Sequence, residues 1–426
     1  MINFAFLPDL SALAILVVIL LLVRRRHPGA RVNAWLLGLF VTLVESVAHT
    51  FYPANGIPAA YLHVIVVDGY LVAGMIFIWG AGNPSISRES RSLYLALNGL
   101  PLLALITTYG LNLRTSAVYT PAIALGLVCG IVTSFLLRRN WSYAALYAVG
   151  WIAIGVLVQR GMFREAIYWT LACVYLIAAI NFERRLEGNT TGKLAIVPGL
   201  AIWSICFLLH PWVVDHAAYT DIASHVLNLQ NSLVAIGMIL VLLEEQVSTN
   251  KWLALHDELT GLPNRRMFAA TLDLAIERAT RDKSTLALVV LDLDGFKSIN
   301  DSLGHHAGDQ VLREISSTLR KSVRTADTVA RLGGDEFIIM AADMNNEKTV
   351  QRFVESVARA IERPIVFGGQ PILVTASLGI AIFPDDAEDA IALLRLADQR
   401  MYSLKKRPLL QPKIETSGMT AISPPA

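Results

Sequence analysis

Two short stretches decide the fold of the C-terminal part of this chain. They are Leu291-Asp292-Leu293-Asp294-Gly295-Phe296-Lys297 and Arg331-Leu332-Gly333-Gly334-Asp335-Glu336-Phe337. The first closes an unbroken apolar run, T-L-A-L-V-V-L-D at 285–292, as a strand buried on both faces should. The second is a hairpin signal, with V-A-R-L and D-E-F-I-I-M flanking a Gly-Gly pair. If these strands pair, three or four carboxylates meet at one end of a sheet. Carboxylates with backbone carbonyls suit Mg²⁺ held beside phosphates. Gly333 and Gly334 permit a tight turn and leave backbone open to a ligand. Lys297 and Lys405 offer charge for a triphosphate. The residues point to metal-dependent phosphoryl or nucleotidyl transfer; the plain alternative for any one acidic turn is a solvated loop.

Working outward, helical patterns at 265–280, 307–322, 347–361 and 388–405 alternate with strands at 285–292, the hairpin and 372–381. This order predicts an α/β domain of the ferredoxin-like kind with added elements. Gly261 and Pro263 break the helical pattern ahead of it. The tail is polar and Pro-containing, and its composition predicts disorder over 408–426.

Upstream the composition changes. Of 70 Asp, Glu, Lys and Arg residues in the 426-residue chain, 23 precede Glu244 and 47 follow from there. Nine apolar runs, at 9–23, 33–51, 61–80, 92–109, 117–137, 142–158, 166–182, 194–210 and 223–243, are mostly long enough to cross a bilayer as helices. This predicts a polytopic all-α membrane bundle of about nine helices, with eight as the alternative. Arg24, Arg25 and Arg26 follow the first run instead of preceding it, unlike a signal peptide. With the N-terminus outside, inner loops hold 11 Lys or Arg and outer loops three, Arg114, Arg160 and Arg164. The positive-inside rule therefore puts the soluble part in the cytoplasm. The expected division is 1–243 membrane domain, 244–256 linking helix, 257–407 catalytic domain and 408–426 tail.

These features exclude a simple cytosolic enzyme, a fibrous chain and a disordered one. A net charge of +2 gives no argument for a nucleic-acid partner. Cys129, Cys173 and Cys206 lack CxxC spacing and read as small apolar core residues. In the membrane half, Glu45, His49, His63, Asp68, His210, His216 and His225 gather toward the outer side. Imidazoles with carboxylates suit a metal, a haem or a pH-sensing site; the alternative is interfacial residues that cap helices and snorkel to water. The connecting loops are too short for an extracellular sensing domain.

Residues 252–407 resemble the GGDEF domain of diguanylate cyclases, which condense two GTP molecules into cyclic di-GMP. The matching pieces are D-E-L-T-G-L-P-N-R at 257–265, L-D-L-D-G-F-K-S-I-N-D at 291–301 and G-H-H-A-G-D at 304–309. R-L-G-G-D-E-F at 331–337, T-A-S-L-G-I-A at 375–381 and A-D-Q-R-M-Y-S-L-K at 397–405 complete the set. The resemblance implies Asp292, Asp335 and the Leu293 carbonyl as metal ligands. It places Glu336 near the attacking ribose 3′-hydroxyl or a second metal. Asn300 and Asp309 would read guanine, Lys297 and Lys405 would meet phosphates, and Gly333 and Gly334 would wrap them. It also implies Mg²⁺ or Mn²⁺, two per active site, and a homodimer in which each domain brings one GTP. Arg324 and Asp327 in R-T-A-D resemble the family's inhibitory site for cyclic di-GMP.

One position departs from the family pattern. Leu409 stands where a basic residue often follows the final lysine, with Arg407 as a substitute. The expectation is a cyclase in the bacterial inner membrane, regulated by an unnamed signal at the membrane domain. The alternative is an inactive GTP or cyclic di-GMP receptor.

Overall fold

The computed structural model describes residues 7–26, 28–51, 57–81, 87–135, 141–186, 188, 190–344, 346–405 and 413–415. The chain divides into two units, Met1–Gln246 and Val247–Ala426.

The first unit is all helix. Its elements are α1 Leu7–Arg26, α2 Ala30–Thr50, α3 Ile57–Gly80, α4 Arg88–Gly110, α5 Ser116–Thr133, α6 Trp141–Gln159, α7 Phe163–Arg185, α8 Thr191–Val213 and α9 Ala217–Leu255, the last of which runs past the unit's end at Gln246. Among the described residues, nine helices are long and apolar enough to span a membrane, as the sequence predicts. α7 is the most enclosed, with 61% of its most apolar window buried, against 17% for α1 and α6. Apolar side chains such as Val18, Leu146 and Ile152 face outward, the arrangement a bundle needs when its solvent is lipid. The cysteines depart from expectation: Cys173 is exposed and Cys129 and Cys206 are half-buried. They lie toward the bundle's outer surface because a thiol facing lipid loses nothing by leaving the core.

The start of α8 is gripped from α9. Thr190 caps α8 through Lys193 N–H at 3.3 Å. The Glu244 carboxylate accepts from Thr191 N–H at 2.8 Å and Gly192 N–H at 3.3 Å, satisfying two of the helix's orphan donors. Glu245 pairs with Arg31 at the start of α2. The α8 and α9 backbones also approach closely: a Cβ added at Gly192 would lie 2.5 Å from Val241 N, and one at Gly237 would lie 2.9 Å from Gly192 O.

The second unit contains α10 Arg265–Asp282, β1 Leu286–Asp294, α11 Phe296–Leu303, α12 His305–Ser322, β2 Thr328–Gly333, β3 Glu336–Ala342, α13 Glu347–Ile361, β4 Ile365–Phe367, β5 Gln370–Ile372, β6 Thr375–Phe383, α14 Ala390–Lys405 and β7 Lys413–Glu415. The main sheet runs β2-β3-β1-β6-β7, antiparallel except for the β6–β7 pair. This is the expected α/β architecture. The β1 alternation explains its two layers. Ala287, Val289, Leu291 and Leu293 join a core with Ile315 of α12 and Val354 of α13. Leu286, Leu288 and Val290 join the opposite core with Leu272 of α10 and Met401 of α14.

Helix ends follow local chemistry. Asn264 caps α10 by accepting from Arg266 N–H and Met267 N–H at 3.0 and 3.1 Å. α11 and the β4–β5 hairpin are additions to the predicted elements. The hairpin turns on Gly368-Gly369, both at positive φ. Within the tail expected to be disordered, Lys413–Glu415 forms β7. Arg407 and Leu409 lie outside the described residues, as does the side chain of His225.

Candidate active site

Antiparallel pairing of β1 with β3 places Asp292 directly opposite Glu336. Asp292 is on the even-numbered side of β1, the side covered by α14, so the last residue of that helix reaches it. Lys405 Nζ stands 2.7 Å from Asp292 Oδ1, and Asp292 is only 4% exposed. Asp335 occupies the β2–β3 turn, and its carbonyl accepts from Leu293 N–H at 3.3 Å. The turn requires its glycines, because Gly333 has φ 145° and Gly334 φ 54°. Thus the expected acids Asp292, Asp335 and Glu336 come to one sheet end, with Lys405 beside them.

The local charges agree with that crowding. Burial, opposed by Lys405 and reinforced by Asp335, holds the Asp292 carboxyl above the ordinary carboxylate range. Burial and then Asp292 push Glu336 upward as well, with Arg265 opposing. Burial would lower Lys405, but the hydrogen bond to Asp292 and the nearby acids outweigh it and hold the ammonium above its usual value.

Asn300 and Asp309 lie near each other at the α11–α12 junction. A Cβ on Gly308 would fall 2.0 Å from Asn300 Oδ1, so the missing side chain makes room for this amide. Lys297 is exposed on the first turn of α11, just after Gly295 with φ 71°. Arg324 is exposed, whereas the Asp327 carboxylate accepts from Arg324 N–H at 2.9 Å and Ala342 N–H at 3.3 Å. Asp327 therefore also holds its own turn.

Three charged groups here were not singled out in the sequence. Arg331 Nε and Nη2 donate to Gly334 O at 3.0 and 2.7 Å, and its Nη1 donates to Asp257 Oδ1 at 2.8 Å. Burial pushes Asp257 up, but hydrogen bonds from Thr260 and Arg331 more than offset it and hold this carboxyl below the usual range. Arg265 Nη2 lies 3.9 Å from Glu336 Oε2. Charges within the two matching motifs are the only sequence signal for them.

The membrane-unit candidates separate. Glu45 is buried and hydrogen-bonded by Tyr70. His63 packs on Tyr109, and His210 stacks on Tyr168. His49 and Asp68 are half-buried. His216, between α8 and α9, is exposed, its Nδ1 2.9 Å from Trp212 O near the end of α8. Among the described residues, no three His, Cys, Asp or Glu side chains form a metal-holding group.

Residues 254–409 match the family described as "Diguanylate cyclase, GGDEF domain". The chain is 40% identical over 153 residues to the bifunctional diguanylate cyclase/cyclic di-GMP phosphodiesterase MucR of Pseudomonas aeruginosa, covering 36% of this chain and 22% of that protein. It is 30% identical over 319 residues to the uncharacterized protein YhcK of Bacillus subtilis, covering 66% of this chain and 85% of that one. Among solved structures, the GGDEF domain of PA1120 (TpbB or YfiN) from Pseudomonas aeruginosa matches at 38% identity, over 37% of this chain and 92% of that one, with a TM-score of 0.36. The chain spans about a fifth to a third of the curated relatives MucR and TpbB.

Proposed function

Because the chain belongs to the GGDEF family, matched over residues 254–409, we propose that it is a diguanylate cyclase, joining two GTP into cyclic di-GMP with release of two pyrophosphates. The bacterial relatives and the apolar helices make it a multi-pass protein of the inner membrane, with the GGDEF domain in the cytoplasm. The observation that carries the cyclase reading is the Asp292–Glu336 register pair with Lys405 on Asp292.

The donor set fits a hard divalent cation. Three carboxylates converge, and the Lys405 ammonium already stands on one of them as a positive charge. Asp292, Asp335 and the Leu293 carbonyl would hold Mg²⁺ or Mn²⁺, with Glu336 beside a second ion. Bound there, such ions would neutralise phosphate charge and favour an ionised ribose hydroxyl.

The chain's own residues do the positioning. Asn300 and Asp309 accept from the guanine edge, which discriminates against adenine. Gly333 and Gly334 let the backbone of the turn approach the phosphates, and Lys297 and Lys405 meet their charge. Glu336 draws the proton from the ribose 3′-oxygen, and its upward shift makes it a better base than an ordinary glutamate. That oxygen bonds to the α-phosphorus of the GTP on the partner domain as the bond to pyrophosphate breaks. The equivalent second displacement closes the ring, so two copies must face each other. Arg324 and Asp327 would take the product as inhibitor, with Asp327 retaining its bonds to the turn.

The test uses full-length protein in nanodiscs with GTP and Mg²⁺, followed by chromatographic separation of nucleotides. Wild type should form cyclic di-GMP and pyrophosphate in a 1:2 ratio, and Glu336→Gln should not. Binding of labelled cyclic di-GMP without turnover, in dimeric protein stripped of product, would replace the cyclase with a receptor.

A further inference from the structure

Arg114, Arg160 and Arg164 sit in outer loops, against the charge bias of the membrane unit. Two of them have partners within the protein. Arg164 Nη1 donates to Asp215 Oδ1 at 2.8 Å. Arg114 Nη1 donates to Tyr109 O at 2.9 Å, and its guanidinium lies 3.9 Å over the Tyr109 ring. Arg160, the residue after α6, is exposed and has no ion pair among the described residues.

Arg160 stands at the mouth of a cleft. α5 leads inward from the outer side, α6 returns to it, and the two pack antiparallel. Toward the inner side, glycines bring them together. A Cβ on Gly130 would lie 2.9 Å from Tyr147 Cβ, and one on Gly126 would run into the Trp151 ring. Gly155, about one turn beyond Trp151, lacks such filling: the nearest atom to a Cβ there is Ile123 Cγ2, at 3.7 Å. The space left is a cleft of about 410 Å³, a size that small-ligand sites commonly have. Ile123, Ile152 and Val156 form its apolar walls, and Thr120, Gln159 and Arg160 its outer rim. Ile152 and Val156 are 58% and 45% exposed, so the cleft opens onto lipid and not into the bundle.

That setting decides the occupant. A groove facing hydrocarbon is filled by hydrocarbon, so its walls take an acyl chain. The rim selects the headgroup. The Arg160 guanidinium fork matches phosphate oxygens. Gln159 adds amide donors, and the Thr120 hydroxyl, which donates to Ser116 O at 3.3 Å, adds an acceptor. Arg160 is the charged member of this lining, so charge complementarity favours a headgroup of net negative charge over a zwitterion.

We propose that the α5–α6 cleft binds one anionic phospholipid from the outer side of the membrane, with an acyl chain along Ile123, Ile152 and Val156 and the phosphate on Arg160. The site is independent of the cyclase reading and is tested by binding alone. Full-length protein in detergent is titrated with dimyristoyl phosphatidylglycerol, the matching phosphatidylcholine, dimyristoylglycerol and glycerol phosphate. Native mass spectrometry counts the bound molecules. One phosphatidylglycerol should be retained about fivefold more tightly than phosphatidylcholine, the worth of one arginine beside an anionic headgroup. Dimyristoylglycerol, which lacks the phosphate, should bind more weakly than either, and glycerol phosphate, which lacks the chains, should not bind. The arginines of the inner loops also attract anionic lipid, so the diagnostic is the difference between wild type and Arg160→Gln, which should lose that one tightly held lipid. Gly155→Leu, which fills the cleft, should lower retention of both phospholipids. Equal retention of the two phospholipids by wild type overturns the proposal with no variant involved, and so does phosphatidylglycerol selectivity unchanged in Arg160→Gln. Glycerol phosphate bound as tightly as the whole lipid also overturns it, leaving Arg160 as a site for free phosphate.

Discussion

Replacing Arg331 tests how the signature turn is held. Its guanidinium makes two bonds to the Gly334 carbonyl and one to Asp257, and its side chain is only 11% exposed. Arg331→Lys keeps the charge but lacks the planar fork, so it can meet one partner and not both. A lost charge-assisted hydrogen bond costs about 1.5–3 kcal/mol. If about 2 kcal/mol of that loss falls on the turn's productive geometry, turnover drops roughly 30-fold. The assay pairs cyclic di-GMP formation with hydrogen exchange at the Asp335 and Glu336 amides, and both should change together. Arg331→Lys with wild-type turnover and unchanged protection would refute the argument.

Acid adds a second readout of the same contact. Asp257 is held below the ordinary carboxylate range, so its contribution to stability is complete above its unfolded value of about 3.9 and fades as pH falls through the lower folded value. The stability difference between wild type and Arg331→Met should therefore be full at neutral pH and narrow below about pH 4. Exchange of the β3 amides across that range measures it.

Three further outcomes are expected. Gly308→Ala puts a methyl into the space of Asn300 Oδ1; the KM for GTP should rise about tenfold, equivalent to about 1.4 kcal/mol of lost guanine contact, with reduced preference over inosine triphosphate in competition assays. Gly379→Ala brings a Cβ within 2.1 Å of Ala397 O and 2.2 Å of Met401 N; overpacking of about 1–3 kcal/mol should loosen α14, lower the domain's thermal midpoint and reduce turnover as Lys405 leaves Asp292. Arg31→Gln removes a pair whose side chains are 40% and 49% exposed; solvent screening limits the cost to about 0–1 kcal/mol, and the thermal midpoint in nanodiscs should barely move.

The sheet was legible because its signals are local. The apolar run before Asp292 and the glycine pair before Asp335 specify two strands and a turn, and pairing does the rest. Membrane helices were legible by length and apolarity for the same reason. The β4–β5 hairpin escaped although Gly368-Gly369 marks its turn, because three-residue strands carry too little alternation to register. α11 escaped because its eight residues barely exceed two turns. At the site, the acids could be found from their motif, but the Arg331 fork could not. Its partners are 74 residues before it and three after it, and no spacing rule joins such positions. The cysteines misled because apolar surroundings in a membrane sequence do not distinguish core from lipid.

The contact at Gly192 and Gly237 has a genetic consequence. At Gly38, against Phe77, or Gly126, against Trp151, the neighbour is a side chain that can absorb a substitution by changing rotamers. At Gly192 and Gly237 any residue larger than glycine meets main chain, which has nowhere to turn. A random-mutagenesis screen for altered output should return these two codons repeatedly, and compensating second-site changes should be scarce. Inheritance of α8 and α9 should follow the same logic: exchanging one helix between homologues without the other would separate the glycines from the backbone they were fitted to, so chimaeras should be cut outside the pair.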